Sequence, residues 1–331
     1  MKSLLPLLCL ITCVALGQKL MPNGFKQYTV TSAETGTVNF YVKGDGADKP
    51  LLLYLDGSGA YPLFQKMKQG MASTVMLNLK KVTEKYCVAL ISKPGVAFID
   101  STHTEDSFGG QPEEPEIYRK TLSLDWRATS ASMVVDYVLK NKLASAKQVA
   151  VLGFSEGAQV APAVAVKNKK VTHLLCFGGN GLNHLFDPII QTRLKMHSGQ
   201  YTPEQAQYKI DSLMTDYKDI YANPQSTEQQ WWGHSYKRWS SFDSHTPVEN
   251  LLTLNIPIYL VNGGLDENPV LSSDYIQLAF IRAGKNNLTR KVYPNYDHQL
   301  NEHVKNGEGV QVVPRYREVM DAAFAWLESK G

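Results

Sequence analysis

Gln148-Val149-Ala150-Val151-Leu152-Gly153-Phe154-Ser155-Glu156-Gly157 is the stretch whose reading decides the fold. Its first five residues are apolar or β-branched in the main and predict a short buried strand. Glu156 to Val166, rich in Ala and Val, predicts a helix tucked beneath a sheet. A strand, a Gly-x-Ser-x-Gly turn and a helix form the context in which a serine hydroxyl is held exposed on a sharp bend. The two glycines are expected to let the backbone turn without side-chain clash. The helix N-terminus behind Ser155 aims free N–H groups and a partial positive charge at it. A Gly-rich loop with an incidental serine has the same five letters, so the rest of the chain decides.

The chain has 331 residues, enough to bury a large core. Its 34 Lys and Arg are scattered, and no zinc-type Cys/His spacing occurs, so nucleic acid is not an expected partner. Lys2, the apolar run Leu4 to Leu16, and Ala15-Leu16-Gly17 before Gln18 read as a secretory signal over residues 1–17. The run is shorter than the ~20 residues of a bilayer span. A lipoprotein signal on Cys13 is the alternative, for which Thr12 is a poor neighbour. The expectation is an exported protein, periplasmic or secreted, with no stable membrane insertion. Cys9 and Cys13 leave with the leader. Cys87 and Cys176 both fall mid-strand, about three inter-strand steps or ~14 Å apart. A disulfide tolerates ~7 Å between Cα atoms, so two buried free thiols are expected.

Downstream of the leader, Gly24–Val30 and Thr37–Val42 predict edge strands, and Leu51–Leu55 a buried strand ending in Asp56-Gly57-Ser58-Gly59. A helix is expected over Leu63–Ala72, a strand over Tyr86–Ser92, and one long helix over Ile117–Lys140. Strands follow at Val171–Phe177, Ile256–Val261 and Thr289–Tyr293, with helices at Ser272–Ala283 and Pro314–Ser329. Alternating strands and helices imply an α/β protein with a mainly parallel sheet covered on both faces. About eighty residues separate Phe177 from Ile256, far more than the ~12 a crossover needs. Residues 182–255, with an amphipathic helix near Glu204–Tyr221, therefore read as a helical cap. The core comprises residues 18–181 and 256–331.

A serine hydroxyl is a weak nucleophile that needs a base, itself oriented by a carboxylate. In a parallel sheet these come from loops at the carboxyl ends of other strands. Asp266, in the turn after Ile256–Val261, is the candidate acid, with Glu267 beside it as the alternative. His298, in the loop after Thr289–Tyr293, is the candidate base; no other histidine follows the last strand so closely. Asp297 next to it reads as a solvated neighbour. The order Ser, Asp, His is the one this arrangement requires. The oxyanion donors are expected from the N–H of Glu156 and of Ser58, with Gly59 second.

The segments G-F-S-E-G-A-Q-V-A-P, G-G-L-D-E-N-P and Y-D-H resemble α/β-hydrolase serine hydrolases. The nearest branch is similar to dienelactone hydrolases and prolyl-oligopeptidase catalytic domains, over about Leu51 to Leu327. The resemblance implies an eight-stranded sheet, with Ser155 after the fifth strand, Asp266 after the seventh and His298 after the eighth, and no cofactor. Pro162 inside the helix after the nucleophile departs from the pattern, and no propeller domain is expected ahead of the hydrolase region.

Trp231-Trp232-Gly233-His234-Ser235-Tyr236-Lys237-Arg238-Trp239 is the densest aromatic and basic stretch. Trp231, Trp232, Tyr236 and Trp239 either wall a substrate pocket or anchor the cap, and Arg238 or Lys237 either meets a substrate carboxylate or faces solvent. The expected partner is a small acyl substrate or short peptide, and the protein a monomer or homodimer. An ester hydrolase ranks first, a small-peptide or aminoacyl-amide peptidase second, and a non-catalytic binding relative third.

Overall fold

In the computed structural model, which describes residues 19–68, 70–101, 112–307 and 309–330, eight strands build the central sheet. They are β1 (Lys26–Ser32), β2 (Gly36–Lys43), β3 (Pro50–Leu55), β4 (Cys87–Ile91), β5 (Ser145–Phe154), β6 (His173–Phe177), β7 (Ile258–Gly263) and β8 (Leu288–Tyr293). Their spatial order is β1-β2-β4-β3-β5-β6-β7-β8, and a two-residue strand, Lys19–Leu20, adds a ninth outside β1. The pairings of Lys19–Leu20 with β1, of β1 with β2 and of β2 with β4 are antiparallel; from β4 to β8 every pairing is parallel. Leu51–Leu55, Val149–Phe154 and the whole of β6 and β7 are buried, because helices cover both faces of a parallel sheet. These are the continuous apolar runs that made the strands legible.

The helices outside the insertion are α1 (Leu79–Lys85), α2 (Glu116–Thr121), α3 (Leu124–Lys140), α4 (Glu156–Lys167), α9 (Glu267–Arg282) and α10 (Tyr316–Glu328). Between them lie α5 (Asp187–His197), α6 (Pro203–Ala222), α7 (Tyr236–Asp243) and α8 (Pro247–Thr253). One sheet face packs α3, α4, α8 and α9 in a single apolar core. The other face packs α1 and α10, through Val82 and through Val319, Met320, Ala323 and Leu327. Residues 182–246 have a small core of their own, in which α6 places Leu213, Tyr217 and Ile220 against Trp231, Tyr236 and Trp239. Thr202 and Gln205 close a reciprocal capping box at the start of α6. By contrast, Val248 and Leu251 of α8 pack in the main core.

Several expected elements differ. The helix expected over Leu63–Ala72 is a hairpin of Phe64–Met67 and Gly70–Ser73, and the helix comes later, at α1. Gly70 takes φ 109°, open to glycine but to few other residues, and this breaks the chain there. The long helix expected over Ile117–Lys140 is two helices: Ser123 has extended backbone and its hydroxyl accepts from Trp126 N–H at 3.0 Å, starting α3 afresh. Pro314 ends a hairpin (Asn301–Asn306 with Gly309–Pro314) rather than opening the last helix. Pro162 lies within α4, which continues to Lys167. The leader expected at residues 1–17 lies outside the described residues. Among those described, no helix is long and apolar enough to cross a membrane.

Cys87 on β4 and Cys176 on β6 are both buried and unbridged, with β3 and β5 between them. Burial pushes each thiol up to about 12. Neither should therefore react with a thiol reagent at pH 8 while the protein is folded. Iodoacetamide labelling mapped by peptide is expected to find Cys87 and Cys176 modified only after denaturant is added; fast modification of either in the native protein would place it at the surface.

Candidate active site

The bend between β5 and α4 is tighter than the glycine argument required, and its strain sits on the serine itself. Ser155 has φ 55° and ψ −121°, while Gly153 and Gly157 have no unusual φ. The glycines answer a different need. A Cβ on Gly157 would stand 2.1 Å from the carbonyl oxygen of Leu55, and one on Gly153 would stand 2.0 Å from that of Gly157. The start of α4 thus presses directly on β3 and β5. Ser155 N–H donates to Phe177 O on β6 at 2.8 Å, which ties the bend to the next strand.

The two downstream loops deliver the other groups. His298 Nε2 lies 3.0 Å from Ser155 Oγ, and His298 Nδ1 lies 2.6 Å from Asp266 Oδ2. Asp266, the acid named first from the sequence, is in contact with the histidine. It occupies the position just ahead of α9, reached because β7 runs to Gly263, two residues beyond its expected end. Asp297, expected to be solvated, organises the histidine loop: its carboxylate accepts from the N–H of Gln299 and Asn301, both at 2.9 Å, and faces His303 Nε2 at 3.0 Å.

The loop after β3 lies against Ser155, where a Cβ on Gly57 would be 3.3 Å from Ser155 Cβ. Ser58, Ser155 and Glu156 line one cavity of about 250 Å³ with His184, Asp187, Gln191, Trp232, His234, Arg238 and Trp239. Among the described residues, no backbone–backbone hydrogen bond outside the regular elements uses the N–H of Ser58 or Glu156. Gly59 does not border the cavity; its carbonyl accepts from Lys93 at 2.7 Å.

Beneath the bend lies a set of buried charges that sequence reasoning missed. Arg127 donates through Nη1 to Glu156 Oε1 at 2.5 Å and through Nη2 to Asp56 Oδ1 at 2.7 Å and Asp56 O at 2.8 Å. Lys93 Nζ sits 2.8 Å from Asp56 Oδ2. Arg238 reaches down from α7 to the second oxygen of Glu156. Burial opposes ionisation of Glu156, but Arg238, then Arg127 and Lys93, hold it well below the usual carboxylate range. Asp56 and Arg127 carried no signal distinguishing them from a turn residue and a helix-surface cation. Only the fully apolar strand running into Asp56 pointed to a buried carboxylate.

The aromatic stretch divides. Trp232 is 62% exposed and borders the cavity; it takes φ 49° and stacks on Trp231 with ring centroids 4.2 Å apart. Trp239 also borders it. Trp231 and Tyr236 do not: they are buried, with Trp231 Nε1 on Asp216 at 3.0 Å and Tyr236 OH on Asp219 at 2.7 Å. They belong to the small core of the insertion because its helix α6 supplies their acidic partners. Lys237 lies away from the cavity and donates to Lys120 O at 3.0 Å. Arg238, read as a solvent cation or a carboxylate clamp, is an ion-pair partner of Glu156; its Nε and Nη1 have no partner among the described residues.

No protein-family model and no curated protein matches this sequence. Solved structures do. Pyrococcus horikoshii acylaminoacyl peptidase superposes with a TM-score of 0.53 at 10% identity, over 92% of this chain and 41% of that one. Porphyromonas gingivalis dipeptidyl peptidase 4 gives 0.54 at 11% identity, over 93% and 36%. An acylaminoacyl peptidase complexed with Z-Gly-Gly-Phe-chloromethyl ketone gives 0.55 at 11% identity, over 92% and 42%. The chain thus spans about two fifths of the length of these three proteins. At such identities the likeness is one of architecture: this chain has the α/β-hydrolase fold, with the eight-stranded, mostly parallel sheet expected from its sequence.

Proposed function

We propose that this protein is a serine hydrolase that transfers a small acyl or peptidyl group to water through an ester on Ser155. The observation that carries the reading is the unbroken contact from Asp266 through His298 to Ser155 Oγ. His298 Nε2 takes the Ser155 proton as Oγ attacks the substrate carbonyl, and Asp266 holds the ring in the tautomer that leaves Nε2 free. The carbonyl oxygen gains charge facing the N–H groups of Ser58 and Glu156, and collapse expels the leaving group with the proton from His298. Water then repeats the cycle on the acyl-enzyme. The cavity is at the small end for ligand sites, which favours a short group against Trp232 and Trp239.

The sequence ranks an ester first. The solved structures named above are peptidases by description, and that support moves an amide or short peptide ahead in our reading. A fluorophosphonate probe is expected to label Ser155, and Ser155→Ala to fold normally with kcat lowered on the order of 10⁶. No adduct on Ser155 in the folded wild type contradicts the enzyme reading and leaves the non-catalytic one. Rate accelerations over the uncatalysed reaction then compare aminoacyl and dipeptidyl nitroanilides with nitrophenyl acyl esters. Larger accelerations for the amides support a peptidase; larger ones for the esters restore the esterase.

Asp187 adds a pH dependence. Burial, with Asp266 nearby, raises its carboxyl to about 7 despite the hydrogen bond from Asn180. Between about 4 and about 7 the folded protein holds a proton that the unfolded chain has released, so this group lowers stability as pH rises through that window. Asp187→Asn is therefore expected to match the wild-type Tm at pH 4 and exceed it at pH 8. Equal shifts at both pH values would show that Asp187 does not titrate in that range.

A further inference from the structure

Lys93 is the most completely buried lysine described, with 3% of its side chain exposed, two residues past the end of β4. An ammonium has three N–H donors, and Lys93 uses all three. They go to Gly57 O at 2.5 Å, Gly59 O at 2.7 Å and Asp56 Oδ2 at 2.8 Å. Two of these acceptors are the carbonyls on either side of Ser58. Burying a cation costs free energy unless its partners are well placed, and burial indeed lowers the Lys93 pKa against the pull of Asp56. A lysine that only held the sheet end had no need of two adjacent loop carbonyls.

The peptide unit supplies the consequence. No peptide bond described is cis, and in a trans unit the C=O and N–H point in opposite directions. With the Gly57 carbonyl turned onto Lys93, the Ser58 N–H of the same unit is turned away from it. Gly57 lies against Ser155 and Ser58 lines the cavity that holds Ser155, so that N–H is presented on the nucleophile's side. The ammonium at the carbonyl end also polarises the unit, making its N–H a stronger donor. Asp56 closes the arrangement, since it pairs with both Lys93 and Arg127, and Arg127 pairs with Glu156, whose N–H is the second donor.

We propose that Lys93 is the positioning residue of the oxyanion site: it holds the Gly57–Ser58 peptide so that its N–H meets the charge formed on the substrate oxygen. The proposal rests on the serine-hydrolase reading and deepens it. Lys93 touches no substrate and moves no proton; it acts through the Ser58 peptide.

Lys93→Met keeps the length of the side chain and removes its donors. Because it leaves part of Asp56 uncompensated, Lys93→Met with Asp56→Asn is the second variant. Both are compared with wild type for Tm, for kcat and KM on the best substrate of the panel above, and for the rate of fluorophosphonate labelling. Labelling of wild-type Ser155 is read first, and its failure contradicts the hydrolase reading whatever Lys93 does. Given labelling, whichever variant folds is expected to lose about 10²–10³ in kcat, the loss typical of one oxyanion donor. KM should stay within about threefold, and the labelling rate should fall in step with kcat. A folded variant with kcat within about threefold of wild type overturns the proposal, as does a rise in KM with kcat unchanged. Should both variants fail to fold, Lys93 is a structural residue and the proposal is likewise overturned.

Discussion

The contact on which this structure depends is the approach of Gly157 to the backbone of β3, where even a methyl group would stand 2.1 Å from the Leu55 carbonyl oxygen. It brings the first turn of α4 against the loop at Asp56–Ser58. That loop and the residue after Ser155 become neighbours, so the two N–H groups we propose as oxyanion donors come from segments about a hundred residues apart in sequence. Ser155 at this bend has a φ of 55°, and its N–H is held by Phe177 O on β6 at 2.8 Å.

A bend this tight creates a second problem, which the buried ions resolve. Glu156 directly follows Ser155, and its carboxylate is carried into the protein. Arg127 from α3 and Arg238 from α7 take one oxygen each, and Arg127 and Lys93 share Asp56. Such clusters contribute little net stability compared with an apolar core, but removing one member is costly because its partner is left charged and buried. They also specify geometry. The cluster joins β3, β4, α3, α4 and α7, so the insertion above the cavity is fastened to the residue after the nucleophile.

Much of this was legible in the sequence, for identifiable reasons. Val149–Phe154, Leu174–Phe177 and Ile258–Val261 are buried on both faces and read as unbroken apolar runs. Loop positions after the first and third of these runs gave Ser155 and Asp266, and the loop after the half-exposed strand Leu288–Tyr293 gave His298. The hairpin at Phe64–Ser73 was not legible because its residues are polar or mixed and lie over the edge of the core. The break at Ser123 was missed because one hydroxyl cap decides it inside a pattern that is otherwise helical throughout. Lys93 and Arg127 were invisible for a deeper reason: a charged side chain looks the same in sequence whether it is solvated or buried against partners 29 to 71 residues away. Trp231 and Tyr236 show the reverse, since pocket walls and packing anchors use the same amino acids.

The central claim is that the strained bend, the β3 loop and the buried ions form one oxyanion site around Ser155. A crystal structure of the wild-type protein carrying a phosphonate on Ser155 tests this most directly. The account predicts a phosphonyl oxygen within hydrogen-bond distance of both Ser58 N–H and Glu156 N–H, with Lys93 still on the carbonyls of Gly57 and Gly59. An adduct whose oxygen points away from the β3 loop, or meets only donors from the insertion, would contradict it.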